Sequence, residues 1–387
     1  MSATQIKDIV KEQAVELGFD LVRITSAEEF SQDQVNTLDR VRAGLMDGLP
    51  WYTEDRVRRG TRPQELLPSA RSIICLGLNY FQEDEPGRPP RQSKGTPAGK
   101  VARYAWGRDY HRVMKRKMRA LVEKLSARLD TAIAARWYVD DGPMLDRAAA
   151  ARAGLGWFGK NTNLLSSSHG SWLFLGQIIT DLELEPDPPV QKSCGNCVRC
   201  IPACPTGAIV APYVIDNTRC ISYLTIEHRG AIPRELRPQM LDWVFGCDLC
   251  QEVCPVNRKA QPTTEPGFAR PELGLLDLLN LLELTEEEFR SKFQGTPILR
   301  AKRLGLQRNA CVALGNRGDL VAVPILGRVL REAAPLVRSH AAWALGRIGG
   351  ELAENCLRRA EAQEKDREVL TEIQDALREL SSSPVNA

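Results

Sequence analysis

Between residues 194 and 205 the chain reads Cys-Gly-Asn-Cys-Val-Arg-Cys-Ile-Pro-Ala-Cys-Pro, which places Cys194, Cys197, Cys200 and Cys204 at intervals of two, two and three residues ahead of Pro205. This is the spacing by which a ferredoxin loop wraps three thiolates around one 4Fe-4S cubane and sends the fourth to another. Further on, Cys247, Cys250 and Cys254, closed by Pro255, repeat the pattern without its first member, and Cys220 precedes them. Thiolates spaced by two residues converge on one cluster, whereas the cysteine before proline points along the outgoing chain. Cys194, Cys197, Cys200 and Cys254 are therefore assigned to one cluster, and Cys204, Cys220, Cys247 and Cys250 to the other. Two four-cysteine zinc sites are the alternative, although zinc has no need of a three-cysteine run closed by Cys-Pro. Two clusters alone mean electron transfer and say nothing of a substrate.

Working outward, the eleven cysteines of this 387-residue chain are unevenly spread: eight fall between Cys194 and Cys254, and Cys75, Cys311 and Cys356 lie apart in apolar patterns that read as core thiols. Such clustering indicates metal in a reducing compartment rather than a disulfide framework, and so a cytoplasmic protein. No apolar run reaches eighteen residues, and the N-terminus MSATQIKDIVKEQAVELGF has an amphipathic helix pattern with acidic residues, unlike a signal peptide. No membrane partner is expected. The net charge of +3 is too small for a polycation, so any nucleic-acid binding needs a local patch.

Up to about residue 190 helical stretches (6–17, 110–134) interleave with short strand-like runs (72–80, 136–139), the pattern of an α/β domain. The Pro-, Gly- and Arg-rich segment 83–100 is expected to be a long exposed loop. Residues 191–265 form a cysteine- and turn-rich module whose folding depends on metal. After the Pro-rich linker 261–271, Ala313-Leu314-Gly315 recurs as Ala344-Leu345-Gly346, a period of 31 residues, each copy preceding a second helical pattern. Helix pairs at that spacing suggest a short HEAT-like solenoid over 272–387, with an ordinary helical bundle as the alternative.

The residues around the cysteines are more specific. Ala102-Arg103-Tyr104-Ala105-Trp106-Gly107-Arg108-Asp109-Tyr110-His111, then Val139-Asp140-Asp141-Gly142-Pro143-Met144-Leu145-Asp146-Arg147 and Gly154-Leu155-Gly156-Trp157-Phe158-Gly159-Lys160-Asn161 stand upstream, with 220–227 and 246–251 downstream. Together they resemble the epoxyqueuosine reductase family along the whole chain. The resemblance implies a multi-domain α/β plus α fold: an α/β cobalamin-binding catalytic domain (1–190), a ferredoxin-like double 4Fe-4S module (191–265) and a HEAT-like tail that meets tRNA (272–387). It implies cobalamin and two 4Fe-4S clusters as cofactors, tRNA carrying epoxyqueuosine as substrate, and an external electron donor.

Asp140 follows the strand-like run 136–139, a usual place for chemistry in α/β proteins. Pro143 suits a first helical position and Gly142 the cap before it, which leaves Asp140 and Asp141 free of a capping role. By resemblance Asp140 is the general acid, for which burial beside an apolar corrin is expected. Nothing in periodicity or spacing reveals cobalamin; the resemblance alone implies it. No DxHxxG-type signal marks any of the four histidines as a cobalt ligand. Arg62 and Arg103 are candidate partners for cofactor oxygens, or surface arginines. Lys160, Asn161 and the amides through Leu164 lie in a Gly-rich turn able to approach a planar ligand closely. Ser222 and Asp248 neighbour cluster ligands and are expected to face the gap between cluster and corrin, or to be local turn-formers.

Residues 300–348 carry nine Lys or Arg, led by Arg300, Lys302, Arg303 and Arg308, against two acids. That excess suits an RNA backbone, or a solvated helix face. Two other functions stay open at this point. A reductive dehalogenase shares the corrin and two-cluster logic but calls for an export signal. A non-catalytic electron carrier or scaffold has no need of the Val139-Asp140 and Gly156–Asn161 motifs.

Overall fold

The computed structural model describes residues 1–83 and 96–382. They divide into two compact units: Met1–Glu83, Gly107–Thr218 and Asp248–Ala269 make the first, and the remaining described residues the second. The cysteine-rich segment is thus no unit of its own: Arg219–Cys247 belongs to the second and its flanks to the first. Of the expected loop 83–100, residues 84–95 lie outside the described residues, and Ala98–Val101 is a strand.

The first unit is built on a four-stranded antiparallel sheet in the order Leu21–Ser26, Ser72–Asn79, Leu173–Thr180, Ala135–Tyr138. Ser72–Asn79 is buried at every position, so both sheet faces must be covered. Register decides which residue meets which layer. Ile73 and Cys75 lie opposite Ile179 and Gln177 and pack under Ala148, Ala149 and Ala150 of the helix Asp146–Arg152, whose small side chains allow close approach. On the other face Gly176, opposite Leu76, admits the helix Tyr110–Leu129: a Cβ there would stand 2.9 Å from Met114 Cε. That helix starts at an Asp109 cap and ends five residues before the expected Ala134, where Asp130 turns into the left-handed region.

In the second unit Ala98–Val101 lies between Trp243–Phe245 (parallel) and Leu275–Asp277 (antiparallel). Helices follow over Lys302–Arg317, Val323–Glu332, Pro335–Ile348, Glu351–Glu361 and Arg367–Ser382. The repeated Ala-Leu-Gly has a packing reason. A Cβ on Gly315 would lie 2.6 Å from the Trp343 ring, and one on Gly346 would lie 2.7 Å from Ala376 Cβ, so each glycine is where consecutive repeats press together.

Arg308, expected at an RNA surface, is fully buried. Its Nη1 donates to His228 O at 2.9 Å and Gly230 O at 2.8 Å, and its Nη2 to Leu224 O at 2.6 Å. Neighbouring Asn309 donates to Thr225 O and Val244 O, both at 2.9 Å. Burial pushes the Arg308 guanidinium down to about 9, still cationic at neutral pH. The pair locks the first repeat helix to the turns after Cys220, and a count of charges could not show that. Arg308→Met should leave those carbonyls without donors and cost about 3 kcal/mol or more, read as a lowered urea midpoint.

Candidate functional site

None of the eight clustered cysteines is in a disulfide, and all are half-buried. In the first loop Gly195 takes a positive φ of 51° and Cys197 N bonds to Cys194 O at 3.0 Å, curling the chain so that side chains spaced by two residues share one side. Burial raises the Cys200 thiol, and Cys194, Cys254 and Cys197 raise it further by their charge. The Cys254 thiol is raised in the same way, by burial and then by Cys194 and Cys197. The fold therefore brings Cys254 to the first loop. Thiols that hinder one another's ionisation need a shared cation, which fits a cluster. Among the described residues no three His, Cys, Asp or Glu side chains close on a point as around a single ion.

Both cysteine loops are tied to the turn after Gly156. Lys160 Nζ donates to Gly195 O at 2.7 Å, and the buried Asn161 donates through Nδ2 to Cys250 O at 3.2 Å. Lys160 and Asn161, expected at the cofactor, are thus tethers to the two loops. Leu164 pairs with Phe158 through its backbone, and its side chain is in the core. The Trp157 indole N–H is buried without a partner, a donor free for an amide-bearing ligand.

Beyond Cys254 the chain is clamped by Asn257. It donates to Ser171 Oγ at 2.9 Å and Gln251 O at 2.7 Å and accepts from Ser171 N at 2.7 Å. Gly170, at φ +59°, has Asn257 Oδ1 where a Cβ would go. No spacing rule points to Asn257.

Asp140 sits just past the strand Ala135–Tyr138 and is exposed, not buried as expected. Its backbone is left-handed, φ 55°, a region aspartate tolerates better than most residues. Tyr110 OH donates to Asp140 Oδ2 at 2.9 Å. The phenol is fixed in turn: it stacks on Phe174 at 4.2 Å and on His111 at 4.1 Å. Asp141 pairs with Lys115 and accepts Val139 N at 3.0 Å, while Arg56 donates to Gly142 O. The expected helix start at Pro143 is not found. The helix begins at Asp146 behind Leu145, and Gly142 is required because the Tyr138 ring occupies the place of a Cβ. Tyr110 and Asp146 stood inside motifs already singled out, but only the fold shows that both reach Asp140.

The other expected residues are more scattered. Arg62 is engaged by Glu65 at 3.1 Å and Glu29 at 3.5 Å. In the second unit Arg103 lies over the Trp106 ring at 5.2 Å, and Ser222 is half-buried in the helix Ile221–Ile226. Asp248 is buried and accepts Gln251 Nε2 at 3.1 Å, the turn-forming alternative. Arg300, Lys302, Arg317, Arg328, Arg331 and Arg347 are exposed on the second unit, and Arg303 partly so.

An α/β unit that carries both converged cysteines and a polar acid turn, followed along the chain by helical repeats, defines an iron–sulfur oxidoreductase. A family profile described as 4Fe-4S double cluster binding domain matches residues 193–257, one described as epoxyqueuosine reductase QueG, DUF1730, matches 60–141, and HEAT repeats match 297–378. The epoxyqueuosine reductase of Escherichia coli (strain K12) is 39% identical over 352 residues, 89% of this chain and 90% of that protein. A crystal structure of epoxyqueuosine reductase with a tRNA-Tyr epoxyqueuosine-modified stem loop superposes with a TM-score of 0.92 at 33% identity, covering 98% of this chain and all of that one. A Bacillus subtilis epoxyqueuosine reductase structure with its catalytic aspartate loop swung out of the active site gives 0.91 at 32% identity, covering 98% and 100%. The chain belongs to the epoxyqueuosine reductase family. Asn257→Ala, by removing the clamp beyond Cys254, should cost about 2–4 kcal/mol and lower bound iron per chain, measured by urea unfolding and iron assay.

Proposed function

We propose that this protein reduces epoxyqueuosine in tRNA to queuosine in the cytoplasm, with cobalamin and two 4Fe-4S clusters as cofactors. The observation that carries this reading is Asp140, held at an exposed turn by Tyr110. It is joined to membership of a family with a member solved on an epoxyqueuosine-modified stem loop. An electron carrier has no use for such an acid. Cobalamin, when bound, supplies the two-electron chemistry that opens an epoxide. Trp157 Nε1 would donate to one of its amide oxygens, with Lys160 and Asn161 keeping the turn after Gly156 in place. Cys194, Cys197, Cys200 and Cys254 would take one cluster, and the spacing leaves the other four of the eight cysteines for a second. Both clusters are loaded by an external electron donor.

Asp140 supplies a proton to the departing oxygen. Its turn is held by rim contacts from Tyr110, Lys115 and Arg56 rather than by burial, which suits a loop able to swing as in the Bacillus subtilis enzyme. Asp140→Asn preserves the left-handed backbone and should keep the corrin and iron–sulfur absorption while lowering turnover on epoxyqueuosine tRNA about 100-fold or more. Wild-type activity in that variant sinks the reading.

For the tRNA backbone, the exposed Lys302, Arg331 and Arg347 replace Arg308 as contacts. Affinity should fall steeply with salt, and Lys302→Glu with Arg331→Glu should weaken binding and flatten the salt slope by about one to two. Filter binding over a salt series reads both.

A further inference from the structure

A second carboxyl meets the acid turn, and the chemistry just described makes no use of it. Asp146 opens the helix Asp146–Arg152, and its Oδ1 accepts the amide of Asp140 at 3.5 Å. Its backbone oxygen accepts Gln177 Nε2 at 3.3 Å, which fixes the head of the helix against the central sheet. Gln177 is fully buried and its Oε1 has no partner, so a polar acceptor stands in otherwise apolar surroundings there. The ionisable groups that act on Asp146 are Asp140 from the turn, Arg147 from its own helix, Tyr52 from the segment ahead of the helix Glu54–Gly60, and Cys75 from the strand Ser72–Asn79. Burial of the carboxyl, with the charge of Asp140 beside it, outweighs Arg147 and pushes Asp146 up to about 7. A carboxyl in that state stores a proton at neutral pH.

We propose that Asp146 is a positioning residue for Asp140: it holds the left-handed turn through the Asp140 amide and returns to Asp140 a proton once Asp140 has given its own away. The proposal rests on the reductase reading. Converting an epoxide to an alkene breaks both C–O bonds, forms one C=C bond and releases water, which consumes two electrons and two protons. The electrons come from the external reductant. Asp140 gives the first proton to the epoxide oxygen, Asp146 passes its proton to the Asp140 carboxylate, and Asp140 gives that one to the departing hydroxyl. Solvent then reprotonates both carboxyls.

The test compares full-length, cofactor-loaded wild type with Asp146→Asn and Asp146→Glu. Asp146→Asn should keep the cluster absorption and KM for tRNA but lose kcat about tenfold or more, and Asp146→Glu should recover most of it. Because the stored proton is lost as pH rises, wild-type kcat should fall above about pH 7, and Asp146→Asn should lack that limb. Unchanged kcat and pH profile in Asp146→Asn overturn the proposal. A second readout needs no turnover: infrared difference spectra should show a protonated-carboxyl band that disappears near pH 7 in wild type and is missing from Asp146→Asn. Absence of the band in wild type also overturns it. A wild type that shows the band yet fails to reduce epoxyqueuosine tRNA keeps the carboxyl pair and overturns the reductase reading instead.

Discussion

The thiol of Cys254 stands near those of Cys194, Cys197 and Cys200, and contacts within the first unit hold it there. Four such groups in one place oppose one another's ionisation, as Cys200 and Cys254 show, so without a cation the arrangement is unfavourable and with one it becomes a source of folding energy. The chain between Cys200 and Cys254 is long, and its return is secured at discrete points. Asn257 clamps the segment beyond Cys254 to Ser171, and Asn161 reaches Cys250 from the turn after Gly156. Lys160 holds the first loop from that same turn. Adjacent residues of one turn thus contact both cysteine loops.

How much of this was legible in the sequence follows from what each signal depends on. Cysteine spacing is set by local geometry around a cluster, and the closure of the first loop by Cys254 could be read from the Cys-Pro rule alone. The Ala-Leu-Gly repeat was legible for a similar reason, because Gly315 and Gly346 mark close approaches that recur with the helix pairs. Two of the four strands of the sheet were legible, at 72–80 and 136–139, but Leu21–Ser26, Leu173–Thr180 and the order of the sheet rest on pairings far apart in the chain. Charge was the least reliable guide. Arg308 counted toward a basic surface, yet it lies in the core holding carbonyls of the second unit, since a guanidinium can satisfy several acceptors at once. Local rules also misplaced the helix after Asp140. Pro143 and Gly142 fit a helix start, and the Tyr138 ring, which demands glycine for another reason, could not be seen.

That last point bears on how an exposed acid can be held accurately. A left-handed aspartate costs on the order of 1–3 kcal/mol, and an exposed side chain gains little from packing to offset it. The surroundings offset it by hydrogen bonds arranged on both sides of the residue: Tyr110 on the carboxylate, Asp146 on the amide, Lys115 through Asp141 and Arg56 on Gly142. Each of these partners except Lys115 and Arg56 is itself immobilised, Tyr110 by its stack on Phe174 and Asp146 by Gln177. The precision of the acid therefore comes from the sheet beneath it, since Phe174 and Gln177 project from opposite faces of one strand, Leu173–Thr180. One strand carries both the ring on which the donor to the Asp140 carboxylate stacks and the amide that holds the backbone of the residue behind the Asp140 amide.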